Sequence, residues 1–173
     1  HDSVKRYTDL GVDCFSGDAK VLSPHEVEVN GNILTTKNII IATGARPTIP
    51  SISGLEKVNF LTSDNLWNIQ ELPKKLLIVG GGPIGSEFAQ CFARLGSDVT
   101  QVEMSPHILS REDDEISLAL RQQFGREGID IHTDTTCKKI VTENGKQVMV
   151  SEQRGQEVRI EFDQILIAVG RTA

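Results

Sequence analysis

A run of glycines directly after a short apolar segment is the feature that most constrains this chain. Residues 80–85 read Gly-Gly-Gly-Pro-Ile-Gly, which fits the spacing G-x-G-x-x-G. Residues 76–79 read Leu-Leu-Ile-Val, and so short an apolar run, bounded by glycine, is typical of a strand buried on both faces. The pattern predicts a strand, a tight glycine turn and a helix that begins at Pro83.

Each of the spaced glycines has its own predicted role. Gly80 permits the tight turn, Gly82 lets the backbone approach a pyrophosphate, and Gly85 lets the helix pack closely on the strand. The helix that starts with Pro83 and Ile84 presents free N–H groups and the positive end of its dipole, both of which favour bound phosphates. The turn therefore predicts a dinucleotide site.

An acid follows at the distance that such a site requires. The helix is predicted over residues 83–95 with Gly96 as its C-cap, and the next strand, over 98–103, ends in Glu103. A carboxylate there can accept hydrogen bonds from both ribose hydroxyls of an adenosine and repels a 2′-phosphate. No Arg or Lys lies among residues 104–110, so the sequence favours NAD(H) over NADP(H).

The chain beyond Glu103 repeats the alternation of helix and strand and then becomes antiparallel. Such alternation is typical of a parallel sheet with right-handed crossovers. The predicted fold is α/β, a Rossmann-like dinucleotide-binding domain with a parallel sheet, helices and an antiparallel β-meander. The predicted elements are a helix over residues 113–126, a strand over 129–131, meander strands over 138–142, 147–152 and 157–162, and a buried strand over 164–169.

Both helices are expected to bury one apolar face at the 3.6-residue period. The residues predicted to face inward are Ile84, Phe88, Cys91, Phe92 and Leu95 in the first helix and Ile116, Leu120 and Phe124 in the second. Cys91 is accordingly expected in the core, where free cysteines are common.

The first part of the chain, residues 1–48, is predicted to be part of a second domain of the same type. It contains a helical stretch over residues 2–10, strands over 20–22 and 26–29, and a β-branched run over 38–42 that is typical of a buried strand.

The end of this segment resembles the end of the chain. Residues 39–46 read Ile-Ile-Ile-Ala-Thr-Gly-Ala-Arg, and residues 165–171 read Ile-Leu-Ile-Ala-Val-Gly-Arg, which indicates one supersecondary unit used twice. Prolines and serines between the two units predict a linker over residues 49–74, with a short helix over 61–72. The dinucleotide-binding domain is then predicted over residues 75–173.

Composition excludes several classes of function. The net charge of −6 and pI near 5.2, without a cluster of Lys and Arg, disfavour binding to nucleic acid or an anionic membrane. No apolar run approaches the ~18 residues of a membrane span. The spacing of Cys14, Cys91 and Cys137 matches neither a zinc site nor a dithiol, which favours a reducing cytoplasm. The four histidines are not spaced as metal ligands are. We therefore expect no metal site, and no catalytic residue in this chain.

Taken in order, these motifs resemble the central portion of the flavin-dependent pyridine nucleotide-disulfide oxidoreductases. The resemblance is strongest to the mercuric-reductase-like and dihydrolipoamide-dehydrogenase-like branch. It is carried by residues 38–47, by residues 80–87, by Glu103 and by residues 165–171.

The resemblance implies a role for each matching position. Gly80, Gly82 and Gly85 would bind the NAD pyrophosphate and Glu103 the adenine ribose, while Glu87 would lie near the nicotinamide and the flavin edge. Gly170 would let the nicotinamide lie against backbone. Thr43 and Gly44 would pass close to FAD. In the full-length parent, hydride would pass from NADH to FAD and then to a disulfide, a metal ion or another acceptor.

The family's amino-terminal flavin fingerprint, redox cysteine pair and dimerisation domain have no counterpart in this sequence. Residues 1–48 are therefore expected to be the trailing part of the FAD-binding domain, and the chain a fragment that binds NAD(H) without turnover. Its expected partners are the missing domains and a second copy in a homodimer, on which residues 1–48 dock by strand exchange or edge pairing, or else remain mobile. Two alternatives stay open: a flavin-dependent NADH oxidase or ferredoxin-reductase-like enzyme without a redox disulfide, and a non-redox nucleotide-sensing Rossmann module.

Overall fold

The computed structural model describes residues 3–173 and divides the chain into two compact units, one ending at Thr43 and one spanning Gly44–Ala173. Within the described residues no helix is long and apolar enough to cross a membrane. The first unit contains α1 (Val4–Asp9), β1 (Ala19–Ser23), β2 (Glu26–Val29) and β3 (Asn32–Thr35). The second contains β4 (Arg46–Pro47), β5 (Phe60–Leu61), β6 (Lys75–Val79), α2 (Pro83–Leu95), β7 (Asp98–Val102), α3 (Asp114–Arg126), β8 (Asp130–His132), β9 (Thr135–Glu143), β10 (Lys146–Gln153), β11 (Gln156–Phe162), β12 (Gln164–Ile167) and β13 (Arg171–Thr172).

The first unit is built on a three-stranded antiparallel sheet in the order β1-β2-β3. The turn between β2 and β3 is made by Asn30 and Gly31, with φ of 51° and 80°, and positive φ at both central residues is the geometry that tight hairpins favour. The helix predicted over residues 2–10 is observed as α1; Asp2 lies outside the described residues.

The buried strand predicted over residues 38–42 is not formed. Those residues have no regular structure, and Ile40 and Ile41 are 90% and 71% exposed. A parallel strand is held by hydrogen bonds to its neighbours, and the described part of the chain supplies no neighbouring strand for this segment. The apolar pattern of residues 38–42 is therefore not sufficient to make them a strand.

The second unit is organised around a parallel sheet in the order β5-β12-β6-β7-β8. Alternate residues of its strands point to opposite faces, and both faces are covered, as all-parallel sheets require. One face, which includes Leu77 and Ile165, packs on the meander formed by β9, β10 and β11. The other, which includes Ile78 and Leu166, packs on α2 and α3.

Helix α2 begins with Pro83 and ends at Gly96, whose φ of 106° makes it a left-handed C-cap. Its buried face differs from the predicted one, because Gly85, Ser86, Ala89 and Phe92 are buried whereas the predicted Cys91 and Leu95 are exposed. Small residues let the helix approach the sheet closely, and this close approach sets the face that is turned inward.

Helix α3 begins one residue later than predicted, because Asp113 is its N-cap. Phe124 is fully buried, as the spacing predicts, and Leu120 packs beside the same core. Ile116, however, is 54% exposed, and its neighbour Ser117 is buried instead. The hydroxyl of Ser117 donates to the carbonyl of Ile108 at 2.7 Å, which satisfies a polar group in the core.

Residues 49–74, predicted as a linker, belong to the second unit and contribute buried side chains to its core: Ile52, Leu55, Leu61 and Leu66. The helix predicted over residues 61–72 is wrong. Leu61 ends β5, which pairs in parallel with β12, and only a single 3-10 turn follows at Leu66–Asn68. Pairing with the sheet fixes the backbone at Leu61 in an extended conformation and so excludes a helix from starting there.

Candidate functional site

A cavity of about 740 Å³ opens in the second unit at the carboxyl ends of β6, β7 and β12. Ligands of open α/β sheets characteristically bind at this end of the strands. Most of the residues that the sequence predicted as a site lie in its lining: Gly80, Gly82, Pro83, Ile84, Glu103 and Gly170.

The glycine turn is confined by backbone on its inner side. Gly80 has a φ of +118°, and a Cβ there would lie 2.3 Å from the carbonyl oxygen of Ala168. A Cβ on Gly85 would lie 2.2 Å from the carbonyl oxygen of Gly80. Gly80 is therefore required by both conformation and space, and Gly85 by space alone.

Gly82 is different, because nothing in the protein requires a glycine there. Its φ of −75° suits any residue, and no protein atom lies within 4 Å of a Cβ built on it. Gly170, whose φ is +129°, also has open space at its Cβ position and lies in the cavity lining. The lining thus has bare backbone at two glycines.

Glu103 is held in place by two backbone N–H groups. Its Oε2 accepts from Gly81 at 2.6 Å and its Oε1 accepts from Ser105 at 2.7 Å. A Cβ on Gly81 would lie 2.9 Å from both Cβ and Cγ of Glu103, so Gly81 makes room for this carboxylate. Sequence spacing missed Gly81, although the unbroken run of three glycines was a signal for it.

The loop after β7 closes over the same side of the cavity. Leu109 donates its N–H to the carbonyl of Gly81 at 2.7 Å from a left-handed conformation with φ of 51°, which is strained for a bulky residue. Ile108, 1% exposed, anchors the loop in the core. Residues 104–110 contain no Arg or Lys, but the next residue of the loop, Arg111, places a cation in the cavity lining.

Other predicted residues are not brought into the cavity. Glu87 is exposed on α2 and lies outside the lining, and Gly85 packs behind the turn. Thr43 and Gly44 are exposed where the first unit ends and the second begins.

Cys137, on β9, lines the cavity without being a reactive thiol. Burial raises the pKa of its thiol above the ordinary value, despite the hydroxyl of Ser151 that donates to its sulfur at 3.8 Å. It therefore stays protonated at neutral pH and is a weak nucleophile. Among residues 3–173 no group of three or more His, Cys, Asp or Glu side chains is arranged to hold a metal ion.

The parallel sheet, the glycine turn that opens α2 and the acid after β7 define the class of Rossmann-like FAD/NAD(P)-binding α/β proteins. More specifically, the chain belongs to the pyridine nucleotide-disulphide oxidoreductase family, whose sequence profile matches residues 1–173. This match confirms the family resemblance that the motifs indicated.

Individual relatives agree with that assignment. The chain is 38% identical over 168 residues to a mercuric reductase of Bacillus cereus, covering 97% of this chain and 27% of that protein. It is 43% identical over 167 residues to a dihydrolipoyl dehydrogenase of Acholeplasma laidlawii, covering 94% and 48%. The chain thus spans only between about a quarter and a half of these relatives' length.

Solved structures show the same relationship. The HOCl-induced flavoprotein disulfide reductase RclA of Escherichia coli superposes with a TM-score of 0.75 at 32% identity, covering 98% of this chain and 39% of that one. A ferredoxin reductase of Rhodopseudomonas palustris gives a TM-score of 0.77 at 22% identity, covering 98% and 44%, and shares the fold.

Proposed function

We propose that the second unit binds NAD(H) in the cavity, with the pyrophosphate at the N-terminus of α2, the adenine ribose at Glu103 and the nicotinamide against Gly170. The observation that carries this proposal is Gly82. Its backbone conformation suits any residue and its Cβ position is empty of protein atoms, so the reason for a bare backbone there is the close approach of a ligand.

The chemistry around Gly82 suits a pyrophosphate. The first-turn N–H groups of α2 have no acceptor within the helix, and the helix dipole adds partial positive charge at the same point. Pro83 and Ile84 place that turn in the cavity wall. An anion seated there satisfies several N–H groups at once.

The chemistry around Glu103 suits an unphosphorylated ribose. Each carboxylate oxygen already accepts one backbone N–H and retains a second lone pair for a hydroxyl donor. Because the carboxylate is fixed before a ligand arrives, it can bind two ribose hydroxyls without losing side-chain entropy. A 2′-phosphate would be repelled by it, so we infer a preference for NAD(H), with Arg111 as the cation that limits that preference.

We expect Gly82→Ala to weaken NADH binding by about tenfold, or 1.4 kcal/mol, with only a small decrease of the thermal midpoint, because Gly82 is the N-cap of α2 and alanine is the poorer cap. Binding weakens because the new methyl group occupies space left for the ligand, and this group touches no protein atom. Isothermal calorimetry of NADH with the purified chain measures the first effect and circular dichroism the second.

Gly125→Ala is the matched control, because Gly125 also has ordinary φ and open space at its Cβ position but lies on α3. It should bind NADH normally and gain about 0.5–1 kcal/mol of stability, since glycine is unfavourable within a helix. Unchanged NADH binding by Gly82→Ala would contradict the proposed ligand position.

For the full-length protein we propose an FAD-dependent oxidoreductase that takes hydride from NADH and passes electrons to a disulfide, a metal ion or another acceptor. Family membership and the relatives' activities support this. FAD, held mainly by the rest of the protein, would supply the hydride acceptor, with Thr43 and Gly44 passing near it and Glu87 at its edge. This chain's residues would orient the nicotinamide toward that acceptor. A cytoplasmic homodimer is the expected assembly.

The test uses the full-length protein as purified under anaerobic conditions. We expect a flavin absorbance spectrum that bleaches on addition of NADH, and at least tenfold more slowly with the same concentration of NADPH. A protein that binds NADH but contains no flavin would favour the non-redox sensing module. Bleaching without a titratable cysteine pair would favour the oxidase or ferredoxin-reductase-like alternative.

A further inference from the structure

We propose that Gln101 is a positioning residue, whose buried amide fixes the glycine turn in the shape that binds the dinucleotide. Gln101 lies on β7, between the sheet and the turn, and is 0% exposed. The proposal rests on the proposed function, because the turn it positions is the pyrophosphate-binding element.

The amide of Gln101 holds the turn from beneath. Its Nε2 donates to the carbonyl of Gly80 at 3.0 Å and to the hydroxyl of Ser86 at 3.4 Å. That hydroxyl in turn donates to the carbonyl of Gly81 at 3.4 Å. Two consecutive carbonyls of the turn are thus tied to one side chain, directly and through one relay.

The turn depends on such a restraint because of its own composition. Three consecutive glycines have more accessible backbone conformations than any other sequence of that length, so their alignment has a high entropic cost. Gln101 also lies close to the start of the helix, because its Nε2 is 3.2 Å from the Cβ position of Gly85. With the Gly80 carbonyl held by Gln101, the N–H that follows it, that of Gly81, is bonded to Glu103 in the cavity lining.

The unused half of the amide supports a role in the site rather than in stability. The Oε1 of Gln101 is buried and has no hydrogen-bond partner among the described residues. A buried acceptor without a partner costs free energy, and an apolar side chain of similar length would avoid that cost. The donor atom Nε2 is therefore the part of the Gln101 amide that accounts for a glutamine at this position.

Two variants separate positioning from simple packing. Gln101→Met keeps the length of the side chain and removes the donor, and we expect about tenfold weaker NAD⁺ binding with little change in the thermal midpoint. The variant removes the unpaired Oε1 but also leaves the buried Gly80 carbonyl without its donor. Gln101→Glu places a carboxyl beneath the Gly80 carbonyl; burial raises the pKa of such a group. When protonated it donates as the amide does, and when ionised it repels the carbonyl.

The readout is the ratio of variant to native NAD⁺ affinity between pH 5 and pH 9. For Gln101→Glu this ratio should fall at least tenfold as pH rises, whereas for Gln101→Met it should stay flat. Glu103, two residues along the strand, is present in every variant, so the ratio reports the change made at position 101. A flat ratio for Gln101→Glu, or native affinity in Gln101→Met, would overturn the proposal.

The matched control is Gln164→Met. The Nε2 of Gln164 also donates to a backbone carbonyl, that of Asn59 at 2.8 Å, but this residue lies outside the cavity lining. The same chemical change should leave NAD⁺ affinity within twofold of native.

A second measurement tests the role of Gln101 separately from dinucleotide binding. If the native chain binds no dinucleotide, the proposed function fails, and amide hydrogen exchange without any ligand then decides the role of Gln101. The Gly80 and Gly81 amides are hydrogen-bonded to Val102 and Glu103. We expect their exchange to be at least tenfold faster in Gln101→Met than in the native chain, and unchanged exchange would overturn the positioning role.

Discussion

Gly80→Ala should abolish NADH binding and destabilise the second unit by about 2–5 kcal/mol. Two costs add at this position. The backbone is at a φ of +118°, which an alanine adopts only with strain, and the new Cβ would lie 2.3 Å from the Ala168 carbonyl oxygen. That oxygen belongs to the segment after β12, whose Ala168 N–H bonds to Val79, so neither side can retreat without disturbing the sheet.

The conformational cost can be measured separately in Gly96→Ala. Gly96 has a similar φ of +106° but nothing within 4 Å of its Cβ position, so only the strain of about 1–2 kcal/mol should appear. Urea denaturation gives both free energies of unfolding, and calorimetry gives NADH affinity, which should stay native in Gly96→Ala. Equal destabilisation in the two variants, or NADH affinity within twofold of native in Gly80→Ala, would contradict this account of the turn.

Glu103→Ala should weaken NADH binding by about 10–100-fold, because charge-assisted hydrogen bonds to the ribose hydroxyls contribute about 1.5–3 kcal/mol each at most and are partly replaced by water. NADPH should lose much less, because the repulsion of its 2′-phosphate disappears at the same time. The preference for NADH over NADPH, at least tenfold in the native chain, should therefore vanish. Competition calorimetry with both nucleotides at one ionic strength measures this ratio.

The backbone contacts of Glu103 make a second variant necessary. Alanine also removes the acceptors for the Gly81 and Ser105 N–H groups, which weakens the turn for any nucleotide. Glu103→Gln keeps one acceptor oxygen and the side-chain volume but removes the charge, so selectivity should fall with a smaller loss of stability. Glu115→Ala removes a charge from an exposed residue of α3 and should change neither affinity. An equal loss for NADH and NADPH would mean that Glu103 only supports the turn.

Local patterns predicted the central part of the molecule well. The strand before Gly80, the helix start at Pro83 and the C-cap at Gly96 all follow from glycine and proline chemistry that acts over a few residues. Glu103 was placed in the cavity by its distance from the turn. These features could be predicted because each depends on residues that are close together in the sequence.

Features that depend on distant parts of the chain were predicted less well. Periodicity alone placed Cys91 and Leu95 in the core, but close packing of Gly85 and Ala89 on the sheet turned a different face inward. A short helix is predicted over residues 61–72, but pairing of β5 with β12 holds the backbone at Leu61 in an extended conformation. Gln101 gave no signal at all, because its partners are backbone carbonyls brought beneath it only by folding.

The hydrogen bonds of the glycine turn give the proposed site a local charge that is opposite in sign to the net charge of the protein. Carbonyl oxygens of the turn accept hydrogen bonds from Gln101 and Leu109, whereas the first-turn N–H groups of α2 have no acceptor within the helix. The pyrophosphate position that we propose is therefore a small region of positive partial charge in a chain with a net charge of −6. Its field acts over a few ångströms, a distance shorter than the ~8 Å over which physiological salt screens charges. An acidic surface and the proposed anion site are compatible because they act on different length scales.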